Sequence, residues 1–430
     1  MWSFIDFNGR EFYGIGLNAA DKKGKFMAVT FEDIQKAHAA IKSSTIRTPI
    51  VRAARLSLHL GIDLYLKLEN LQHTNAFKAR GALNKLLTLS EEQRKCGVIA
   101  CSAGNHAQGV AYHAQRLGIP ATIVMPVGTP FNKIQRTEDF GGRVVLYGTN
   151  FDEGVAETMR LAKENNFTFI HPFDDEAIIA GQGTLGIEML EDCPDLDVVV
   201  VPIGGGGLIG GVATAVKGMK PDIEVVGAQA DLYDAVKASQ EGRGGPKGGS
   251  TLAEGIAVKA PAEQNIEIIN RLVDRVDSAS EPEIEEAVFD FLSMEKLVAE
   301  GAAGAGLAVI QKNIEHYKGK KVGLVVCGGN IDSRLLSTLI MRGLVRDGRI
   351  ARLRFEIDDT PGQLSDIART IGEGGANVVE VIHQRMMQTV SLKRAELDIV
   401  IEARDSNHVQ EIVGKLEDKN FVVKIMRDIG

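Results

Sequence analysis

The first candidate for chemistry is a lysine at the start of a predicted helix, in the stretch Asn75-Ala76-Phe77-Lys78-Ala79-Arg80-Gly81. The residues before it, Asp63 to Glu69, alternate apolar and charged side chains like a half-buried strand, and residues from Phe77 onward have helical spacing. A lysine at such a junction lies near the positive end of the helix dipole, which favours the neutral amine. A neutral amine is a nucleophile that can form a Schiff base. The alternative is a solvated lysine on a helix face, where most lysines lie.

Four consecutive glycines, Gly204, Gly205, Gly206 and Gly207, form the second candidate. They follow the valine-rich stretch Asp197 to Pro202, which is typical of a strand buried on both faces, and they precede Leu208 and a helix of small residues. Without Cβ atoms the backbone can approach an anion closely, and the helix N-terminus supplies free N–H donors. We therefore predict a phosphate site here. A tight turn is the alternative, but it requires fewer glycines.

The same loop contains Gly205-x-Gly207-x-x-Gly210, which matches the dinucleotide-binding fingerprint. The strand after the helix ends in Gly227-Ala228-Gln229, and no acid that could bind a ribose hydroxyl occurs before Asp231. A nicotinamide-dependent dehydrogenase that uses the loop 204–211 is therefore a second hypothesis. A nucleotide triphosphatase is excluded, because no Gly-Lys-Ser/Thr follows the glycines.

Two further polar segments follow predicted strands. Ser102-Ala103-Gly104-Asn105-His106-Ala107-Gln108-Gly109 opens a helix, and its hydroxyl, amide and N–H groups could hold a carboxylate. The alternative is a helix cap followed by a core-facing histidine. Cys327-Gly328-Gly329-Asn330 ends the predicted strand Val322 to Cys327. Its thiol is either an inert buried cysteine or a ligand contact at the carboxyl ends of the strands.

The order of elements predicts the architecture that positions these residues. Short strands and helices alternate through most of the chain, which indicates an α/β protein with a largely parallel sheet covered by helices. After residue 348 the pattern becomes βαββαβ, as in a ferredoxin-like unit. We expect an N-terminal extension outside the fold (1–26, from an upstream start codon), a catalytic domain (27–347) and a second domain (348–430).

Composition limits the classes of function. The net charge of -8 argues against a nucleic-acid binder. The sequence contains no apolar run long enough to predict a membrane span. The cysteines, Cys96, Cys101, Cys193 and Cys327, are scattered and form no C-x-x-C pair. This spacing indicates reduced thiols in a cytoplasmic protein and argues against a zinc site.

Taken together, these motifs resemble a known family. The sequence is similar to the threonine ammonia-lyases, which depend on pyridoxal phosphate and have a tryptophan synthase β-like fold of two open, mainly parallel α/β lobes. The residues that carry the resemblance are Lys67-Leu68-Glu69-Asn70-Leu71-Gln72, Phe77-Lys78-x-Arg80-Gly81-Ala82, the Ser102 to Gly109 loop, the glycine tetrad, Ala253-Glu254-Gly255 and Cys327-Gly328-Gly329-Asn330. Asp359-Thr360-Pro361-Gly362-x-Leu364 and Ala376-Asn377-Val378 resemble one ACT domain.

The resemblance implies a role for each matching position. Lys78 would be both the Schiff-base lysine and the general base. The cofactor-binding residues would be Phe77, Lys78, Asn105, Gly204, Gly205, Gly206, Gly207, Leu208 and Cys327. The residues around the substrate carboxylate would be Ser102, Asn105, His106 and Gln108. The implied reaction is the elimination and deamination of L-threonine, and of L-serine, to 2-oxobutanoate or pyruvate and ammonia.

The sequence also departs from the family. His73 replaces the usual Pro, and Asn75-Ala76 replaces Gly-Ser, so the geometry of the loop before Lys78 is open. Ala103 replaces the second Ser of the serine racemases, which favours a lyase. Gln229 replaces the Glu ligand of metal-dependent relatives, so we expect no divalent metal requirement.

Regulation and assembly follow from the resemblance alone. It implies isoleucine biosynthesis as one pathway, a homodimer or homotetramer, and an allosteric isoleucine or valine site. The expected effector residues are Gly362, Gln363 and Leu364. A third hypothesis is a non-catalytic amino-acid sensor, against which the intact Lys78 and glycine tetrad argue.

Overall fold

The computed structural model describes residues 3–5, 11–13, 29–358, 360–384 and 394–426. The chain separates into two compact units, Met1–Ile331 and Asp332–Gly430. In the expected extension 1–26, two short strands, β1 (Ser3–Ile5) and β2 (Glu11–Tyr13), pair antiparallel, and the other residues lie outside the described part. The domain limits expected from the sequence stay predictions.

The rest of the first unit alternates helices and strands. In chain order they are α1 (Phe31–Ile41), β3 (Ile50–Arg52), α2 (Ala54–Leu60), β4 (Asp63–Leu68), α3 (Lys78–Leu87), α4 (Glu91–Cys96), β5 (Val98–Cys101), α5 (Asn105–Arg116), β6 (Ala121–Met125), α6 (Phe131–Asp139), β7 (Arg143–Leu146), α7 (Phe151–Asn165), β8 (Thr168–Phe169), α8 (Glu176–Asp192), β9 (Val198–Pro202), α9 (Gly207–Met219), β10 (Glu224–Ala230), α10 (Ala235–Gln240), α11 (Glu263–Leu272), β11 (Arg275–Ala279), α12 (Glu281–Glu295), α13 (Gly301–Lys312), α14 (Ile314–Tyr317) and β12 (Lys321–Val326).

These strands form two sheets. The larger sheet has the order β11-β10-β9-β12-β4-β3, and all its neighbours are parallel except β3 and β4. The smaller sheet has the order β7-β6-β5-β8 and is parallel throughout. The strand β9 is buried along its whole length, as its valine run predicts. The predicted fold of two open, mainly parallel α/β lobes is confirmed.

Helices α8 and α9 pack unusually closely, and this contact fixes the start of α9. A Cβ atom on Gly211 would lie 2.3 Å from the carbonyl oxygen of Ile179, and one on Gly183 would lie 2.8 Å from the carbonyl oxygen of Gly211. Only glycines allow the two backbones to approach in this way. Helix α9, which begins at the last glycine of the tetrad, is therefore held against α8.

A buried ionic cluster supports the helix that carries Lys78. Arg80 on α3 pairs with Glu69 at 2.8 Å and with Glu188 of α8 at 2.7 Å, and Lys67 of β4 also pairs with Glu188 at 2.6 Å. The hydroxyl of Thr48 donates a hydrogen bond to Glu69 at 2.5 Å. The two cations and two carboxylates are almost wholly buried. Such a cluster has little net charge, and the loss of one member leaves a buried charge without its partner.

The second unit begins with a helix and continues as βαββαβ. Its elements are α15 (Ser333–Arg346), β13 (Ile350–Asp358), α16 (Gln363–Glu373), β14 (Asn377–Gln384), β15 (Arg394–Glu402), α17 (Ser406–Glu417) and β16 (Val423–Met426). The four strands form an antiparallel sheet in the order β14-β15-β13-β16. This is the ferredoxin-like arrangement that the sequence predicts. In the described ranges, no helix is both long and apolar enough to cross a membrane.

Candidate active site

Lys78 is the first residue of α3 and is partly buried. Its Nζ donates a hydrogen bond to the carbonyl oxygen of Pro172 at 2.6 Å. Burial lowers the pKa of Lys78 to about 8, so roughly a tenth of the amine is neutral at pH 7, far more than for an ordinary lysine. From the sequence we expect a neutral amine because Lys78 lies at a helix N-terminus. In the structure, burial is the main cause of the lowered pKa.

The loop before Lys78 is tied to the end of β12. The N–H of Phe77 donates to the carbonyl oxygen of Cys327 at 3.0 Å, and the N–H of Gly329 donates to the carbonyl oxygen of Asn75 at 2.9 Å. Ala76 and Gly328 form an isolated β-bridge between these two hydrogen bonds. Lys78 and Cys327, which are far apart in sequence, therefore lie on adjoining backbone segments.

The structure also shows how the loop tolerates its unusual residues. Asn75 has a φ of 54°, in the left-handed region that glycine adopts freely and that asparagine adopts more readily than other side chains. Its amide donates to the carbonyl oxygen of Asn70 at 3.2 Å. The ring of His73 stacks on Tyr112, with 5.1 Å between ring centroids. Asparagine therefore supplies the left-handed turn at the position where the resemblance leads us to expect glycine.

The glycine tetrad forms a loop that excludes side chains. Gly206 has a φ of 91°, and a Cβ atom on Gly205 would lie 2.2 Å from the ring of Phe173. Gly207 begins α9, and Leu208 is buried. The first N–H groups of a helix have no acceptor within the helix, so they are available to an anion. This geometry fits the predicted phosphate site.

Asn105, at the start of α5, contacts a buried acid that the motifs do not include. Its Nδ2 donates to both carboxylate oxygens of Glu300, at 2.9 and 3.0 Å, and its Oδ1 accepts from Asn330 at 2.8 Å. Burial raises the pKa of Glu300 above its usual value. The sequence signal for Glu300 is an acid directly before α13, a helix that begins with glycines and alanines alone.

Cys327 completes the group of residues that the structure brings together. Its Sγ lies 3.9 Å from a carboxylate oxygen of Glu300. Burial raises the pKa of the Cys327 thiol well above its usual value, so the thiol is neutral. Phe77 is also buried, and the Lys78 amine lies 5.1 Å from the centre of its ring.

The residues expected around a substrate carboxylate fall into two groups, one partly exposed and one buried. Ser102 and Asn105 are partly exposed at the start of α5, and the Ser102 hydroxyl accepts a hydrogen bond from the Gly104 N–H at 3.2 Å. His106 and Gln108 are buried. The Nε2 of His106 donates to the carbonyl oxygen of Ile170 at 2.9 Å, and burial lowers the pKa of His106 to about 3. The imidazole therefore matches the alternative of a core-facing histidine.

Gln229 belongs to the first unit, and the effector candidates belong to the second. The Gln229 amide is engaged by the carbonyl oxygen of Tyr233 and the N–H of Lys237, and no group of three metal-binding side chains occurs in the described ranges. The absence of a metal requirement stays a prediction. In the second unit, Gly362 has a φ of 102° and precedes α16, where Gln363 is partly exposed and Leu364 is exposed.

Comparison with known proteins identifies the family. A family model described as "Pyridoxal-phosphate dependent enzyme" matches residues 41–328. The chain belongs to the pyridoxal-phosphate-dependent enzymes. An L-threonine ammonia-lyase of Thermotoga maritima is 44% identical to it over 93% of this chain and 100% of the relative. The processed form of threonine deaminase isoform 2 from Solanum lycopersicum is 34% identical, with a TM-score of 0.69 over 72% of this chain and 87% of that chain. Maize serine racemase is 31% identical, with a TM-score of 0.69 over 74% of this chain and 99% of that chain.

The geometry of the enzyme fits its cofactor. Pyridoxal phosphate needs an amine for its aldehyde, donors for its phosphate and a partner for its ring nitrogen, and this enzyme offers Lys78, the glycine loop and Cys327. The family match also removes the nicotinamide-dependent dehydrogenase as an explanation of the glycine loop.

Proposed function

We propose that this enzyme is a threonine ammonia-lyase, which converts L-threonine to 2-oxobutanoate and ammonia and converts L-serine to pyruvate and ammonia. The observation that carries the proposal is the partly buried Lys78 amine, with a pKa of about 8, beside the Cys327 segment. The relatives named L-threonine ammonia-lyase and threonine deaminase support the choice of substrate.

Lys78 has two successive tasks in this proposal. Its amine would hold the cofactor, and the same amine, when free, would remove the proton from the substrate α-carbon. Bound pyridoxal phosphate supplies the electron-withdrawing group that makes this proton acidic. The β-hydroxyl then leaves as water, and water is regained when the unsaturated amine hydrolyses. Threonine is thereby divided into 2-oxobutanoate and ammonia with its atoms balanced.

The other cofactor residues would fix the ring and the phosphate. We assign the phosphate to Gly204, Gly205, Gly206, Gly207 and Leu208, the face of the ring to Phe77, and the ring oxygen to Asn105. Cys327 would lie opposite the ring nitrogen. Because its thiol is neutral, it stabilises a protonated ring nitrogen less than a carboxylate would, which favours elimination over transamination.

The substrate carboxylate would lie at the start of α5. Ser102 and Asn105 supply side chains there, and the first N–H groups of the helix, such as that of His106, supply donors. The N–H of Gln108 already donates to the carbonyl oxygen of Gly104 at 3.4 Å, so it is not one of these free donors. Ala103 carries no hydroxyl, so this loop has no second serine to protonate the opposite face of the substrate. The loop therefore supports a lyase rather than a racemase.

The second unit would regulate the enzyme. We propose that its βαββαβ fold is an ACT domain, that Gly362, Gln363 and Leu364 contact isoleucine or valine, and that the enzyme is a homodimer or homotetramer. The alternative is an ACT domain that only joins subunits. All four cysteines are free thiols, which supports a cytoplasmic location.

The test is a direct assay of the purified enzyme for 2-oxobutanoate and ammonia formed from L-threonine. We expect Lys78→Ala to abolish both products and the parent to form them in equal amounts. A parent that contains pyridoxal phosphate and binds threonine without forming either product would instead support the non-catalytic sensor.

A further inference from the structure

The connection between β8 and α8 joins the two halves of the proposed cofactor site. The Pro172 carbonyl accepts the hydrogen bond from Lys78, and the next residue, Phe173, packs its ring where a Cβ atom of Gly205 would lie. One short segment therefore touches both the lysine and the glycine loop. Any residue that fixes this segment against the loop also fixes the spacing between them.

Asn265 of α11 is placed to do this. It is wholly buried, and its Nδ2 donates to two backbone oxygens, that of Phe173 at 3.0 Å and that of Gly205 at 2.8 Å. A Cβ atom on Gly206 would lie 2.7 Å from the Cβ of Asn265, so the side chain packs directly against the turn of the glycine loop. The neighbouring Gln264 donates a hydrogen bond to Asp174 and holds the same segment from the outside.

A second observation sets Asn265 apart from an ordinary buried amide. Its Oδ1 is buried and has no hydrogen-bond partner within the described residues. A buried polar atom without a partner is costly, so the orientation of the amide is set by its donor side, which bonds both oxygens. An aspartate of the same size could not donate these bonds.

We infer that Asn265 is a positioning residue for the cofactor phosphate, which orients the glycine loop through the carbonyl groups of Gly205 and Phe173. The inference rests on the proposed role of the glycine loop. Asn265 itself need not contact the cofactor. Its loss lets the loop and the 171–174 segment move relative to each other, so the N–H groups that face the phosphate lose their alignment.

The experiment compares two probes that differ only in the phosphate group. The full chain, freed of cofactor, is titrated with pyridoxal 5′-phosphate and with pyridoxal. Asn265→Ala should raise the dissociation constant of pyridoxal 5′-phosphate at least about tenfold and change that of pyridoxal by less than about threefold. Asn265→Leu, which keeps a side chain of similar size, donates no hydrogen bond and adds no charge near the phosphate, should produce the same selective loss. Asn313→Ala is the control for the loss of an amide donor to a backbone carbonyl, here that of Val309 outside the site, and it also removes an acceptor of Arg275.

Two results would overturn the inference. One is a folded Asn265→Ala variant, unfolding within about 4 °C of the parent, that binds pyridoxal 5′-phosphate as the parent does. The other is an equal loss for both probes, which would mean a general structural role. If the alanine variant does not fold, the dissociation constants of Asn265→Leu for pyridoxal 5′-phosphate and for pyridoxal decide. A parent that binds no pyridoxal 5′-phosphate contradicts the proposed function, not the specific role of Asn265.

Discussion

The Nζ atom of Lys78 lies 2.6 Å from the carbonyl oxygen of Pro172, although 94 residues separate them in sequence. The contact places the amine between α3 and the connection that leads into α8. Because the site is buried, the pKa of this amine is about 8 rather than 10.5. A hydrogen-bond acceptor alone would favour the ammonium form, so desolvation outweighs it.

The pKa of Lys78 predicts how the rate of cofactor attachment depends on pH. Only the neutral amine attacks an aldehyde, and the neutral fraction rises as pH increases through the pKa. The rate of pyridoxal phosphate incorporation into the cofactor-free enzyme should therefore rise to a plateau with a midpoint near pH 8. Stopped-flow absorbance between pH 6 and pH 10 measures it. If the rate instead continues to rise up to pH 10, Lys78 has an ordinary lysine pKa and is not desolvated.

The pairing of Asn105 with Glu300 predicts a graded series of variants. Glu300→Gln keeps an oxygen that accepts from the Asn105 amide, whereas Glu300→Ala leaves that amide without its acceptor. A hydrogen bond contributes about 1 kcal/mol, and the alanine variant removes both bonds from the Asn105 amide to Glu300, so we expect kcat/KM to fall roughly 10- to 100-fold in that variant and less in the glutamine variant. Steady-state kinetics with L-threonine check this order, and equal losses would show that the charge of Glu300 matters more than its hydrogen bonds.

The buried cluster around Arg80 predicts a large effect on stability. Glu188→Ala removes the partner of both Lys67 and Arg80, and breaking a buried pair costs about 3–5 kcal/mol. Glu191 on the same helix pairs with Arg47 at the surface, so Glu191→Ala should cost only about 0–1 kcal/mol. Urea unfolding of both variants gives the comparison. Similar midpoints would contradict a structural role for the cluster.

The hydrogen bonds of the Gln229 amide lead us to predict that activity does not require a divalent metal. Both ends of its amide bond backbone groups, and it has no charge to offer a cation. Dialysis against a chelator should leave kcat unchanged, and added magnesium should not raise it. A loss of activity that magnesium restores would show that a metal site exists that these contacts do not reveal.

Several parts of the fold and site could be predicted because their signals are local. The valine run of β9 and the glycines before α9 each determine nearby backbone, and the structure contains both features. The βαββαβ order of the second unit follows from short alternating strands in the same way.

Other features depend on contacts between distant residues. Glu300 and Asn265 lie outside the motifs, and only the folded chain shows that they bond Asn105 and the glycine loop. Strand β11, at the edge of the larger sheet, could not be predicted, because its sequence, Arg-Val-Asp-Ser-Ala, is mostly polar. The imidazole of His106 follows the core-facing alternative, because the carbonyl oxygen of Ile170 lies within reach of its Nε2.

We propose that Lys78 is the residue that holds pyridoxal phosphate. Borohydride reduction tests this assignment directly. The purified enzyme is reduced, digested and mapped by mass spectrometry, with Lys78→Ala treated in parallel. We expect one reduced pyridoxyl group per chain, on the peptide that contains Lys78, and none in the variant. Attachment at another lysine, or an enzyme that cannot be loaded with pyridoxal phosphate, would contradict this assignment of Lys78.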